Sequence, residues 1–127
     1  MATRTKRLRQ LIDLQKQMKA IHETRHAGFL RDAAAAAAEA EDLARRSQEA
    51  SPLADLFPGL YERRVARALE KKAEMTEFAR KEARKIAAEE ARTDVVRRNY
   101  REAVRQEERS GAEKEILEIL SRPTPAK

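Results

Sequence analysis

The sequence has no cysteine and no tryptophan among its 127 residues, and phenylalanine and tyrosine together make up only 4%. Without cysteine, a disulfide framework and a zinc ribbon are excluded. Few aromatic and 39% charged residues argue against a thick globular core. No apolar run approaches the roughly 20 residues that cross a bilayer, and no hydrophobic segment follows the basic N-terminus as in a secretory signal. We therefore expect a soluble cytoplasmic protein.

Helix-breaking residues are also scarce, with three glycines and four prolines. Two prolines and one glycine lie in residues 50–65, "ASPLADLFPGLYERRV". The rest is rich in Ala, Glu, Lys, Arg and Leu, a composition typical of long helices and coiled coils. The sequence predicts an all-α fold: helices at about 4–50 and 59–121, a turn at about 51–58 and a frayed tail at 122–127. These elements are expected to form one antiparallel coiled-coil hairpin domain with a longer second helix. Pro58 is expected in the first turn of the second helix.

An apolar stripe predicts which helix faces meet. Its members recur at steps of three and four, with a mean period near 3.6. An eleven-residue spacing follows the stripe better than strict heptads, so we expect weak supercoiling. Facing residues should have numbers that add up to about 110, which sets Phe29 against residues 78–81. In the first helix the predicted stripe consists of Leu11, Leu14, Met18, His22, Arg25, Phe29, Ala33, Ala36 and residues 40–43.

Charge is distributed unevenly along the chain, whose net charge is +6. Residues 1–27 contain seven Lys or Arg and two acidic residues. Residues 28–58 contain three Lys or Arg and six acidic residues. If the chain reverses at the breaker, both termini lie at a basic end and the acidic stretch flanks the turn. The six alanines at 33–38 should stay helical, because alanine has the highest helix propensity.

Five large apolar residues surround the turn. We interpret them as a plug that closes the end of the helix seam, since an open seam would leave apolar surface in water. The alternative is a knob at the acidic tip on which a partner docks. These residues are Leu53, Leu56, Phe57, Leu60 and Tyr61.

Catalytic and metal-binding patterns find little support. No glycine-rich phosphate loop is present, and no serine or cysteine lies in a recognisable nucleophile context. Carboxylates on an exposed pair of helices lack the burial that shifts a pKa for catalysis. His22 and His26 in "HETRH" share a helix face, with Glu89 on the facing helix, but a metal would need further ligands from outside. We predict no enzyme, no cofactor and no metal site.

The segments "RLRQLIDLQKQMKAIHE" and "SPLADLFPGLYERRVARALEKK", with a short basic start and a longer second helix, resemble the flagellar export protein family FliJ and its type III secretion counterparts. The resemblance implies a small cytoplasmic coiled-coil stalk. In that family the end bearing both termini enters the ring of the export ATPase, and the rod contacts the export gate and substrate chaperones. Carried onto this sequence, the ring-facing end would contain Arg4, Lys6, Arg7, Arg9, Arg105 and Arg109.

The segment "EKEILEILSR", residues 113–122, extends past the first helix in the expected register. Four aliphatic residues there should be exposed: Ile116, Leu117, Ile119 and Leu120. They would dock on a partner, either a ring lumen or another copy, unless the N-terminal arm or a neighbour covers them. Two other functions remain open. One is a helical scaffold that oligomerises through its ends, and the other is a basic rod that associates nonspecifically with nucleic acid.

Overall fold

Two long helices make up the fold, and the computed structural model describes residues 3–49 and 55–123 of the chain. Helix α1 spans Arg4–Gln48 and helix α2 spans Leu60–Ser121. The two helices pack against each other, and the described residues contain no strand. The prediction of an all-α helical hairpin with a longer second helix is therefore confirmed. The six alanines lie inside α1, as their helix propensity predicts.

The hairpin contains two compact packing units, each with a segment of both helices. The terminal unit consists of the described residues 3–17 and 89–123. The central unit consists of the described residues 18–49 and 55–88.

The central unit is held together around an aromatic pair. The ring centroids of Phe29 and Phe78 lie 5.3 Å apart with a tilt of 47°. Lys81 places its Nζ atom 5.7 Å from the centroid of the Phe78 ring. Such an aromatic pair contributes about 0.5–1.5 kcal/mol beyond the area that it buries. The pair confirms that Phe29 faces residues 78–81.

Alanine and a few larger side chains fill the seam of the central unit. Its buried positions on α1 alternate at steps of three and four from Ala33 to Leu43. Small side chains let the two backbones approach closely, so the core is thin and most of it is alanine. The buried apolar residues of this unit are Ala33, Ala36, Ala40 and Leu43 on α1, and Ala68 and Ala79 on α2.

The terminal unit has a more polar seam. The hydroxyl of Thr5 donates a hydrogen bond to Oε1 of Glu107, which fixes the start of α1 beside that point of α2. Ile12 and Ala103 are buried here, but so are polar side chains. The buried polar residues of this unit are Gln15, Glu89 and Thr93. Oε1 of Gln15 is buried without a hydrogen-bond partner.

The predicted position of the seam on the first part of α1 is wrong by one residue. Leu11, Leu14 and Met18 are 40%, 52% and 40% exposed, respectively. The buried and half-buried positions are instead Thr5, Leu8, Ile12, Gln15 and Lys19. These continue at steps of three and four into His22, His26 and Phe29, which is the heptad spacing of a coiled coil. The prediction that strict heptads would fail is therefore also wrong, because polar residues occupy heptad positions that a search for apolar residues passes over.

A tight turn precedes α2. The amide of Leu60 donates to the carbonyl of Phe57 at 3.1 Å, with Pro58 and Gly59 between them. Gly59 has a φ of 79°, and proline followed by a residue with positive φ is the pattern of a type II turn. Pro58 therefore lies in this turn, and not in the first turn of α2 as the sequence suggested.

The residues predicted to plug the end of the seam divide into two groups. Leu60 and Tyr61 are half-buried at the start of α2. Leu56 is 71% exposed and Phe57 is 53% exposed, so the plug interpretation is wrong for these two. Leu53 lies outside the described residues.

Neither helix, over the residues that the structure describes, contains an apolar segment long enough to cross a membrane.

Candidate functional site

The start of α1 combines a conventional helix cap with an unfavourable charge. The hydroxyl of Thr3 accepts a hydrogen bond from the amide of Lys6 at 3.2 Å, and its carbonyl accepts from the amide of Arg7 at 3.0 Å. The first turn contains no acidic residue, although carboxylates there would interact favourably with the helix dipole. Instead Arg4, Lys6 and Arg7 bring positive charge to the positive end of the helix. The interaction of these cations with the dipole of α1 is therefore unfavourable.

One face of α2 in the terminal unit is rich in arginine. Arg105 and Arg109, which the sequence analysis selected, lie on it with Arg98 and Arg101. Together with Glu102 and Gln106 they line a shallow surface groove of about 560 Å³. The arginines recur at steps of three and four, so they project from one side of the helix. Sequence reasoning missed Arg98 and Arg101, although that spacing identifies them.

The C-terminal end of α2 bears an exposed aliphatic cluster, as predicted. Every described residue from Arg105 onward is exposed, which follows from α1 beginning beside Glu107. At about 1.5 Å per residue, the helix continues for about 20 Å past that point. From here on we call residues 113–121 of α2 the tail, a name that does not include the residues 122–127 that were expected to fray. Its aliphatic side chains are exposed by 57% at Ile116, 64% at Leu117, 61% at Ile119 and 75% at Leu120.

The terminal unit collects most of the predicted docking residues. The basic residues at the start of α1, the arginine face of α2 and the tail all belong to it. The tip residues belong to the central unit instead. Leu11 and Leu14 add an apolar surface to the terminal unit that the sequence analysis had assigned to the seam. The unit therefore offers both charge and apolar area to a partner.

Glu82 lies buried in the central unit between His22 and Lys85. Nδ1 of His22 lies 2.7 Å from Oε2 of Glu82, which is buried, and Nζ of Lys85 lies 3.4 Å from Oε1 of Glu82. Burial acts to raise the pKa of Glu82, but the hydrogen bond with His22 and the positive charge of Lys85 outweigh it. The pKa of Glu82 is consequently lowered from its ordinary value of 4.5. This carboxylate is held in its ionised form.

His22 and His26 are considered as metal ligands in the sequence analysis, which predicts no metal site. Among the described residues, no group of three or more His, Cys, Asp or Glu side chains is placed to hold a metal ion. Glu89, the acidic residue suggested as a neighbour of His22, accepts from Nη1 of Arg92 at 2.8 Å instead. Sequence reasoning missed Glu82, because it selected the facing carboxylate from a register that was a few residues out.

Comparison of the chain with protein-family models, with curated proteins and with solved structures gave no match.

Proposed function

We propose that this protein is a non-enzymatic coiled-coil stalk of a flagellar or type III secretion export apparatus. Its terminal unit docks into the ring of the export ATPase, and other parts of the hairpin contact the export gate or chaperones. The protein works in the cytoplasm, where that ATPase operates. The assignment follows the FliJ-like layout of the chain.

The observation that carries the proposal is the exposure of the tail. Four aliphatic side chains, each more than half exposed, extend past the start of α1. An apolar patch of this kind on a narrow helix marks a surface that binds another protein. Arg105 and Arg109 precede the tail on the same helix and supply positive charge for an acidic ring surface.

A structural role also fits Glu82, whose pKa is perturbed. A general acid or base works best with a pKa near the operating pH, but the pKa of Glu82 is lowered, away from neutrality. His22 and Lys85 hold it as a partner in an ion pair. Such a pair suits the interior of an adaptor better than a proton-transfer site.

The test uses the export ATPase purified from the same organism. The double variant L117S/L120S should bind the ATPase at least tenfold more weakly and lose its stimulation of ATP hydrolysis, because apolar contacts in the ring are removed. The charge-reversal variant R105E/R109E should also bind more weakly, and the difference from wild type should shrink as salt rises.

The matched control is Leu56→Ser, which removes an equally exposed leucine from the central unit. It should bind and stimulate the ATPase like the wild-type protein. Full stimulation by L117S/L120S, or an equal loss in Leu56→Ser, would reject docking through the terminal unit. Circular dichroism should give the same helical content for all variants, since the replaced side chains are exposed.

A further inference from the structure

We propose that two copies of this chain associate reciprocally, with the tail of each copy packed on the N-terminal part of α1 in the other. The proposal depends on two exposed ridges of the terminal unit that match in spacing and are opposite in charge. It does not require an export ATPase.

The first ridge lies on α1. Arg7, Leu11 and Leu14 follow one another at steps of four and three, so their side chains share a face of the helix. Their neighbours Ile12 and Gln15 hold the seam with α2, which leaves Leu11 and Leu14 turned away from it. These two leucines are 40% and 52% exposed. The first ridge thus begins with a cation and continues as apolar surface.

The second ridge lies on the tail. Glu113, Leu117 and Leu120 also follow one another at steps of four and three, and the two leucines are 64% and 75% exposed. This ridge begins with an anion and continues as apolar surface. If α1 and a tail lie side by side in the same direction, Glu113 meets Arg7, while Leu117 and Leu120 meet Leu11 and Leu14.

The tail cannot make these contacts within its own chain. The two helices of the hairpin run in opposite directions, whereas the matched ridges require the same direction. The hydrogen bond between Thr5 and Glu107 also fixes α1 on an earlier part of α2. A second copy related by a twofold axis runs the opposite way, so its tail is parallel to α1 of the first copy. The same axis generates the contact twice, which closes the assembly as a dimer.

The charges at the start of α1 and on the tail are opposite in sign, which favours a second copy of the chain as the partner. The first turn of α1 has no acidic residue, and the last turn of α2 has no basic residue but includes Glu118. Both arrangements oppose the helix dipole. Among the described residues, Glu113, Glu115 and Glu118 have no ion-pair partner. Association brings these carboxylates beside the cations at the start of α1, where opposite charges attract.

The dimer and the proposed ATPase complex use the same tail, so they exclude each other. In the dimer the tail of each chain would be covered and could not dock on the ATPase. The dimer would dissociate on dilution, or when a partner binds the tail more tightly than the second copy does. This competition rests on the proposed function, whereas the dimer itself does not.

The experiment is sedimentation equilibrium of the full chain over a range of concentrations. The wild-type protein should be a reversible dimer. Leu14→Ser on α1 and Leu117→Ser on the tail should each raise the dimer dissociation constant at least tenfold. The control is Leu30→Ser, which removes a leucine of α1 that is 47% exposed and lies in the central unit, and it should leave the dissociation constant unchanged.

A charge exchange tests the direct contact. Arg7→Glu and Glu113→Arg should each weaken the dimer, because each places like charges together, and the double variant should restore it. A wild-type chain that stays monomeric up to about 100 μM, a double variant weaker than both single variants, or an equal loss in Leu30→Ser would overturn the proposal. The two proposals fail separately, because the dimer is measured in the absence of any ATPase, whereas stimulation of the ATPase is measured at a concentration at which the chain is monomeric.

Discussion

Ile12 and Leu14 are two residues apart on α1, and replacing each with alanine should have very different effects on stability. Ile12 is only 8% exposed, so Ile12→Ala removes buried carbon atoms and leaves a gap in the seam. Replacing a buried isoleucine with alanine costs about 2–5 kcal/mol. The seam is thin, and none of the described side chains is fully buried, so neighbours can close part of the gap. We expect a loss of about 2–3 kcal/mol in the free energy of unfolding.

Leu14→Ala removes a side chain of the same size from a position that is 52% exposed. A buried methylene group contributes about 0.8 kcal/mol, so three carbons that are about half buried amount to about 1 kcal/mol. Alanine recovers a small part of this through its higher helix propensity. The net loss should therefore be about 1 kcal/mol or less.

The assay is urea unfolding followed by circular dichroism, at a concentration low enough to keep the chain monomeric. The order of the two effects is the decisive result, because a seam through Leu11, Leu14 and Met18 would reverse it. If Leu14→Ala cost more than Ile12→Ala, the apolar stripe read from the sequence would be the true seam. The heptad of buried positions through Ile12 and Gln15 would then be wrong.

Two further predictions concern Glu82 and the glycines. Because the folded-state pKa of Glu82 is lowered, its contribution to stability is present above about 4.5 and is lost as the pH falls through the folded value. The difference in unfolding free energy between wild type and Glu82→Gln should thus shrink in acid, and a difference that stays constant from pH 7 to pH 3 would contradict the stabilisation of the ionised Glu82 by His22 and Lys85. Gly111→Ala should stabilise α2 by up to about 1 kcal/mol, since nothing lies within 4 Å of an added methyl group, whereas Gly59→Ala should destabilise the turn because of its positive φ. Thermal unfolding of the two variants measures both, and a shift in the same direction would count against the type II turn.

Most of the fold could be predicted because it depends on local properties. Alanine, glutamate, lysine and arginine favour helix at nearly every position, and one proline-containing segment interrupts them. Phe29 and Phe78 are large enough for their contact to follow from the approximate register. The bounds of the helices and the pairing of the two rings therefore needed no knowledge of side-chain burial.

The seam of the terminal unit could not be predicted in the same way. A search for apolar residues selects Leu11 and Leu14, whereas the buried positions hold Ile12 and Gln15. Two ridges with the same spacing lie side by side on this part of α1, and hydrophobicity favours the one that turns out to be exposed. Only the facing residues of α2, among them the buried Thr93, decide between them. The exposed apolar surface of Leu11 and Leu14 was missed for the same reason.

The polar seam of the terminal unit also bears on function. Among the described residues of the central unit, the buried ones are apolar apart from Glu82, which contacts His22 and Lys85. In the terminal unit, Gln15 buries an oxygen without a hydrogen-bond partner, and a loss of this kind costs about 1–3 kcal/mol. Leu11 and Leu14 thus lie outside the seam of the terminal unit. The seam is therefore less stable than one that buried these two leucines. Segments of low local stability are the ones from which binding surfaces are drawn. The contact with another helix that we propose would cover Leu11, Leu14 and the tail, and it would therefore supply the apolar burial that this seam, with its buried Gln15, lacks.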